Sequence, residues 1–408
     1  MSETGKTALF ALAAVALAVA AAIVEPEAVT HEIFSDQGET LFRRLTDPLA
    51  AKALEVVEYD EATATSRPFK VEFRRGRWTI PSQYNYPADA KDRLAKTAAA
   101  LVDLKKDQVR SDLAEEHGRY GVIDPLDQKV TSLTGRGKRV TLRDEQGQVL
   151  ADLILGLQVK DKPGYRYARL PGQKRTYEVK TDADPSGKFE DWIETDLLKV
   201  SVAAMRKVTI YSYSINETLG RIENAETLSL TKENDAWKLA GAEKLNQAAV
   251  NTLVAALNNL RIVGVRPKPP NLTADLKARG GIQMSLEAMV SMRQRGFFIT
   301  PDGRLLAKEG EVAVETVDGL VYNLRFGEVL TGQTEGAPAA KDAKGQGENR
   351  YLFVTVTHDP AREAKYGGSG NGARLARELT NRFAEWYYVI SGAESAKLRL
   401  KRKDLARG

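Results

Sequence analysis

Three histidines, His31, His117 and His358, are the side chains of this 408-residue chain whose ordinary pKa lies nearest neutrality, and they stand far apart. None has the two-on-one-helical-face spacing of a metal site, so metal binding is not expected. His358-Asp359 is a pair of the kind that orients a serine, but adjacent strand residues face opposite ways and no Gly-x-Ser-x-Gly elbow accompanies them. With no cysteine, disulfides, thiolate ligands and cysteine nucleophiles are excluded together. The glycine run Gly367 to Gly372 precedes a helix and has backbone N–H groups to offer an anion. It lacks the Lys-Ser/Thr of a phosphate loop and the flanking pattern of a dinucleotide site, and reads as a flexible linker. Gly135-Arg136-Gly137-Lys138-Arg139 has cations but no interleaved aromatics, and reads as a hairpin turn with solvated charges, an anion site being the alternative. That leaves the aromatics Trp78, Tyr84, Tyr86 and Trp237 as the candidate ligand or partner contacts, against a core role for the tryptophans. No catalytic residue, metal or cofactor is assigned.

The elements that must position these residues come in two copies. Val71 and Phe73 lead through Arg74-Arg75-Gly76-Arg77 to Trp78-Thr79-Ile80, then to a helix with Leu94, Ala98, Leu101 and Leu104 on one face. Leu228 and Leu230 lead likewise through Lys232-Glu233-Asn234-Asp235 to Trp237-Lys238-Leu239 and a helix opened by Asn246 carrying Val250, Leu253, Leu257 and Leu260. Alternation around a polar turn predicts a hairpin, and recurrence at three and four residues predicts a helix. Downstream, the strand ending at Gly156 echoes the strand ending at Gly327, and Phe189 to Ile193 is paired with Phe383 to Tyr387. Strands are also expected at Leu54 to Tyr59, Val130 to Leu133, Arg139 to Leu142, Val208 to Tyr211 and Lys397 to Lys401. Short connections between them imply antiparallel sheets. The expected fold class is α+β: an N-terminal transmembrane helix, then two tandem repeats of an antiparallel sheet with flanking helices. The anchor and tether occupy residues 1–30, the first repeat 40–200 and the second 201–408. One departure is expected, the polar insertion 331–349, whose composition predicts a mobile loop.

A content of 42% hydrophobic and 28% charged residues describes a globular chain, and a formal charge of +5 without a clustered basic face gives no reason to expect nucleic acid. The unbroken apolar run Ala8 to Val24 spans about 26 Å as a helix, close to a bilayer core of ~30 Å. A small-x-small motif at Ala18-Val19-Ala20 keeps a cleaved signal peptide as the alternative. Lys6 precedes the run and no cation follows it before Arg43, which leaves the N-terminus in the cytoplasm and the bulk of the chain outside.

The two Trp-helix units, the Tyr120-Gly121…Asp124-Pro125 turn, the Gly156 strand and the apolar run together resemble the domain-of-unknown-function family 4340 of bacterial membrane-anchored proteins. Arg382 to Ile390 and Arg266-Pro267-Lys268-Pro269-Pro270 resemble a planctomycete-like subgroup. The resemblance implies an extracytoplasmic protein linked with ABC-type transport or gliding-motility-like complexes, and it implies no established activity. The expected role is a non-enzymatic accessory or scaffold subunit at the inner membrane, with protein partners in an envelope transporter. The alternative is an extracytoplasmic glycan- or peptide-binding module.

Overall fold

The computed structural model describes residues 36–406, except 195, 217–220, 243, 279–281, 284, 301 and 331–347. The first repeat runs β1 (Ala53–Asp60), β2 (Thr65–Arg74), β3 (Arg77–Ile80), β4 (Tyr86–Pro87), α1 (Lys91–Ala99), β5 (Val109–Ser111), α2 (His117–Tyr120), β6 (Lys138–Arg143), β7 (Val149–Gln158), β8 (Tyr165–Arg169) and β9 (Thr176–Lys180). In the second, β10 (Met205–Asn216), β11 (Arg221–Glu233), β12 (Ala236–Leu239), α3 (Gln247–Asn258) and β13 (Gly264–Pro267) lead into α4 (Pro270–Lys277), α5 (Leu286–Arg293) and the hairpin β14 (Phe297–Ile299) and β15 (Leu305–Ala307). The sheet then resumes with β16 (Glu311–Thr316), β17 (Leu320–Val329) and β18 (Arg350–His358). Helices α6 (Pro360–Tyr366) and α7 (Gly372–Ala384) precede β19 (Trp386–Ile390), and α8 (Gly392–Leu398) and α9 (Arg402–Leu405) close the chain.

The duplication read from the sequence is a duplication of topology. One sheet is ordered β4-β3-β2-β1-β6-β7-β8-β9-β5 and the other β12-β11-β10-β16-β17-β18-β19-β13, so eight strands correspond one to one and only β4 is extra. Neighbours are antiparallel throughout. Both hairpins ahead of the Trp strands use two-residue turns with positive φ at both positions, Arg75-Gly76 and Asn234-Asp235, the geometry whose twist matches that of the strands. The predicted helical faces are buried: Leu94 and Ala98 in α1, and Val250, Leu253 and Leu257 in α3, with Asn246 capping the latter by accepting from the Ala249 N–H.

The two strand glycines mark a shared crossing. A Cβ on Gly156 would overlap the carbonyl oxygen of Tyr120, and one on Gly327 the carbonyl oxygen of Arg295. The crossing segments themselves carry left-handed glycines, Gly121 against Leu157 and Gly296 against Glu328. Gly296 therefore corresponds to Gly121, although the surrounding sequences share nothing else.

Several expectations are corrected. Val130 to Leu133 forms no strand; the hairpin that precedes β7 turns at Asp144 to Gln148 instead. Lys397 to Lys401 is the end of α8 and a connector, not a closing strand. The pairing of Trp192 with Trp386 also fails, because Trp386 starts β19 and pairs with Pro267, whereas Trp192 ends a single-turn helix after β9. The partner of Trp192 is Leu405: the Asp89 N–H donates to the Trp192 carbonyl at 2.8 Å ahead of α1, and the Asn246 N–H to the Leu405 carbonyl at 2.7 Å ahead of α3. Each side chain is fully buried, so each repeat is closed by the segment that follows its sheet.

Nor is the insertion at 331–349 the sole departure. Residues 331–347 lie outside the described residues, but the second repeat also carries α4, α5, β14 and β15 between β13 and β16, and α6 and α7 where the first has only the Pro171-Gly172 turn. Among the described residues no helix is long and apolar enough to cross a membrane; the run Ala8 to Val24 lies outside them. One core joins both sheets, and a smaller satellite core lies under the α4–β15 insertion.

Candidate functional site

The structure disperses the four aromatics proposed from sequence. Trp78 is half-buried on β3 against Phe73, with ring centroids 5.3 Å apart, and Trp237 is buried on β12. Tyr86 lies between the repeats, edge-on to Trp386 at 5.1 Å and to Phe189 at 5.5 Å, and burial pushes its hydroxyl pKa up. Tyr84 alone keeps a large exposed fraction, 43%, with the Arg266 guanidinium 5.3 Å from its ring. Three of the four thus stand on or beside β3 and β4 of the first sheet. Trp237 stands on the second, and no ring contact joins it to the others among the described residues.

The charged motifs are satisfied internally. Arg136 donates to the backbone carbonyls of Asp124, Asp127, Val130 and Ser132 and lies 4.4 Å over the Tyr59 ring. Lys138 binds Glu58 and Asp184, and Arg139 binds Asp152 and Asp124, so the basic turn is a clamp on its own loop. The glycine run is likewise held in place. Gly370 and Gly372 donate their N–H groups to one Glu363 carboxylate oxygen at 2.8 and 3.3 Å, and the other oxygen meets His358 Nε2 at 2.6 Å. The hydrogen bond from His358, with those from the two glycines, holds the Glu363 carboxyl below the usual carboxylate range. The anion in the cradle is therefore the chain's own. His117 contacts the Lys174 carbonyl at 2.7 Å in the other repeat, and burial lowers its pKa. Among the described residues no three His, Asp or Glu side chains gather as a metal ligand set.

The unusual chemistry lies in the satellite core of the second repeat. Lys268, quoted above only within a proline-rich stretch, is buried; its ammonium donates to the Phe383 carbonyl in the last turn of α7 at 2.8 Å and lies 4.0 Å from the Phe353 ring and 5.3 Å from that of Tyr387. The helix end and the rings favour the cation, whereas burial pushes its pKa well down. Arg266 is buried two residues earlier with Nη2 unpaired, and Arg295, 4.8 Å over Tyr387, leaves Nε unpaired. Phe297 stacks on Tyr387 at 5.9 Å and meets Phe353 edge-on at 5.2 Å, closing the cluster.

On the far side of Phe297 lies a groove of about 150 Å³ lined by Ile282, Met289, Met292, Phe298 and Arg293 between α5 and β14. Helix α5 is capped by Ser285, which accepts from the Ala288 N–H at 3.1 Å, and buries Ala288 and Met292. Its other face is also apolar and faces solvent: Leu286 is 75% exposed, Val290 44% and Met289 40%. The spacing of Leu286, Met289 and Val290 was visible in the sequence as a helical signal. Lys268 gave none, since a lysine between prolines has the look of a surface residue.

Comparison with known proteins bears on the family resemblance. The model of a domain of unknown function (DUF4340) matches residues 78–279, from β3 of the first repeat into the α4–β15 insertion of the second, so the match straddles the duplication. No curated protein and no solved structure matches the chain. By that match residues 78–279 of the chain belong to the DUF4340 family of domains of unknown function.

Proposed function

We propose that this protein is a non-enzymatic accessory or scaffold subunit of an envelope transport complex, held at the inner membrane by Ala8 to Val24 with its two repeats outside. The observation that carries the scaffold reading is the solvent-facing apolar side of α5 on an insertion that the first repeat lacks. An apolar helix face without an intramolecular partner is a common mark of a protein-binding surface. The transport context comes from the resemblance to membrane-anchored family members. Solubilising membranes in mild detergent and purifying the full chain should recover transporter subunits in constant ratio; repeated recovery of the protein alone would refute the reading.

A second reading, a glycan- or peptide-binding module, rests on the exposed Tyr84 ring, with Trp78 half-buried on β3. Titration with cell-wall fragments should then change tryptophan fluorescence, and an unchanged signal at millimolar fragment would remove it.

A further inference from the structure

The groove between α5 and β14 combines an apolar lining with an unpaired cation. It is apolar and open, and the cations at it are not neutralised: among the described residues, Arg293 on its lining, and Lys268 and Arg295 over the Tyr387 ring on which Phe297 stacks, have no carboxylate partner. Arg293 is the one charged side chain on the lining, with the Asp275 and Glu287 carboxylates outside it, and low-dielectric walls strengthen its field at the opening. The volume of about 150 Å³ is that of a cavity known to hold a single benzene ring, enough for one large side chain and too small for an acyl chain.

We infer that this groove binds a segment of a partner protein that inserts one large apolar side chain and places an aspartate or glutamate against Arg293. Charge complementarity selects an acidic segment, and the size of the groove selects a peptide over a lipid. The exposed Leu286 and Val290 supply the rim over which the rest of the segment lies. The inference deepens the scaffold reading by assigning the chemistry of the partner, and it rests on that reading for the partner's existence.

Random peptides displayed on phage and selected on the full chain in detergent provide the probe. The selected sequences should share one Leu, Phe or Trp and a nearby acid. Met289→Glu and Arg293→Glu alter exposed positions, and unchanged melting would establish that both variants fold. Each should weaken a selected peptide about tenfold or more, and replacing the peptide's acid by lysine should restore binding to Arg293→Glu alone. Binding indifferent to both variants would overturn the inference. So would anionic phosphatidylglycerol vesicles that bind the wild type, compete with the peptide and lose affinity for Arg293→Glu, since the surface would then be a lipid-binding one. A selection that succeeds while purification recovers no transporter subunit would sink the transport context alone. Subunits that co-purify undiminished with Arg293→Glu and Met289→Glu would sink the groove alone.

Discussion

The segment between the edge strand (β5, β13) and the strand that pairs with the repeat's first strand (β6, β16) differs most between the two repeats. In the first repeat, residues 112–137 are tied down by polar bonds: Arg136 gathers four carbonyls, and Arg139 bridges two aspartates. In the second, residues 268–310 build a satellite core and leave α5 half unpartnered. The edge strands differ in the same sense. Val109 faces Tyr177 as Val265 faces Tyr388, so Arg110 corresponds to Arg266 and Glu178 to Val389. Buried Glu178 neutralises Arg110 and Lys162 in the first repeat, whereas the apolar strand β19 offers Arg266 no carboxylate. One topology has been finished in two ways, with ion pairs around Glu178 and Arg139 in the first repeat and with rings around Lys268, which meets no carboxylate among the described residues, in the second. A fold can keep its strand order while the residues between strands decide whether a segment is closed by polar bonds or leaves an apolar helix face exposed.

The largest expected effect tests the closing segments. Trp192→Ala should cost about 4 kcal/mol and Leu405→Ala about 3 kcal/mol in urea unfolding, because each empties a fully buried site bonded just ahead of its repeat's first long helix. If either loss is below about 1 kcal/mol, the equivalence drawn between them is wrong.

The crossing glycines come next. Gly156→Ala and Gly327→Ala should each destabilise by about 2 to 3 kcal/mol, since the new methyl meets a carbonyl oxygen of a neighbouring segment that has little room to move. Unequal losses would sharpen the comparison by showing which repeat holds its crossing more rigidly.

Lys268→Met should fall within about 1 kcal/mol of wild type at neutral pH, because a buried cation without a carboxylate contributes little net stability over an apolar side chain of similar size. Its signature is in the pH dependence. A lysine whose folded pKa is lowered binds fewer protons folded than unfolded, so its destabilisation is complete below the folded pKa and disappears as pH rises toward the ordinary lysine value. Chemical denaturation across the alkaline range should show wild-type stability gaining relative to Lys268→Met; parallel curves would show that helix end and rings together cancel the cost of burial.

Replacing residues 331–347 by a short Gly/Ser turn should have the smallest effect, a nearly unchanged thermal midpoint, as closure entropy changes by only ~0.6 kcal/mol per doubling of loop length. A midpoint lower by many degrees would make the segment packed structure and add a fourth difference between the repeats.

The sequence by itself determined the duplication, the antiparallel α+β class, the two Trp hairpins and the helix faces, because alternation and three-to-four periodicity are local and recur in both copies. It also singled out Gly156 and Gly327, but as strand ends, whereas β7 runs on to Gln158 and β17 to Val329. What it did not determine was the reason for those glycines, which lies in backbones that pass each other from distant parts of the chain. The misreading of Trp192 as the counterpart of Trp386 has the same origin: similar letters stood near similar places, but the bond that defines the position is a carbonyl placed by the tertiary fold. Lys268 is the clearest case. Between prolines it reads as a solvated cation, and only the convergence of Phe353, Tyr387 and the end of α7 makes it a buried one. Local pattern fixes which elements form; burial and charge compensation depend on what the other elements bring to the same place.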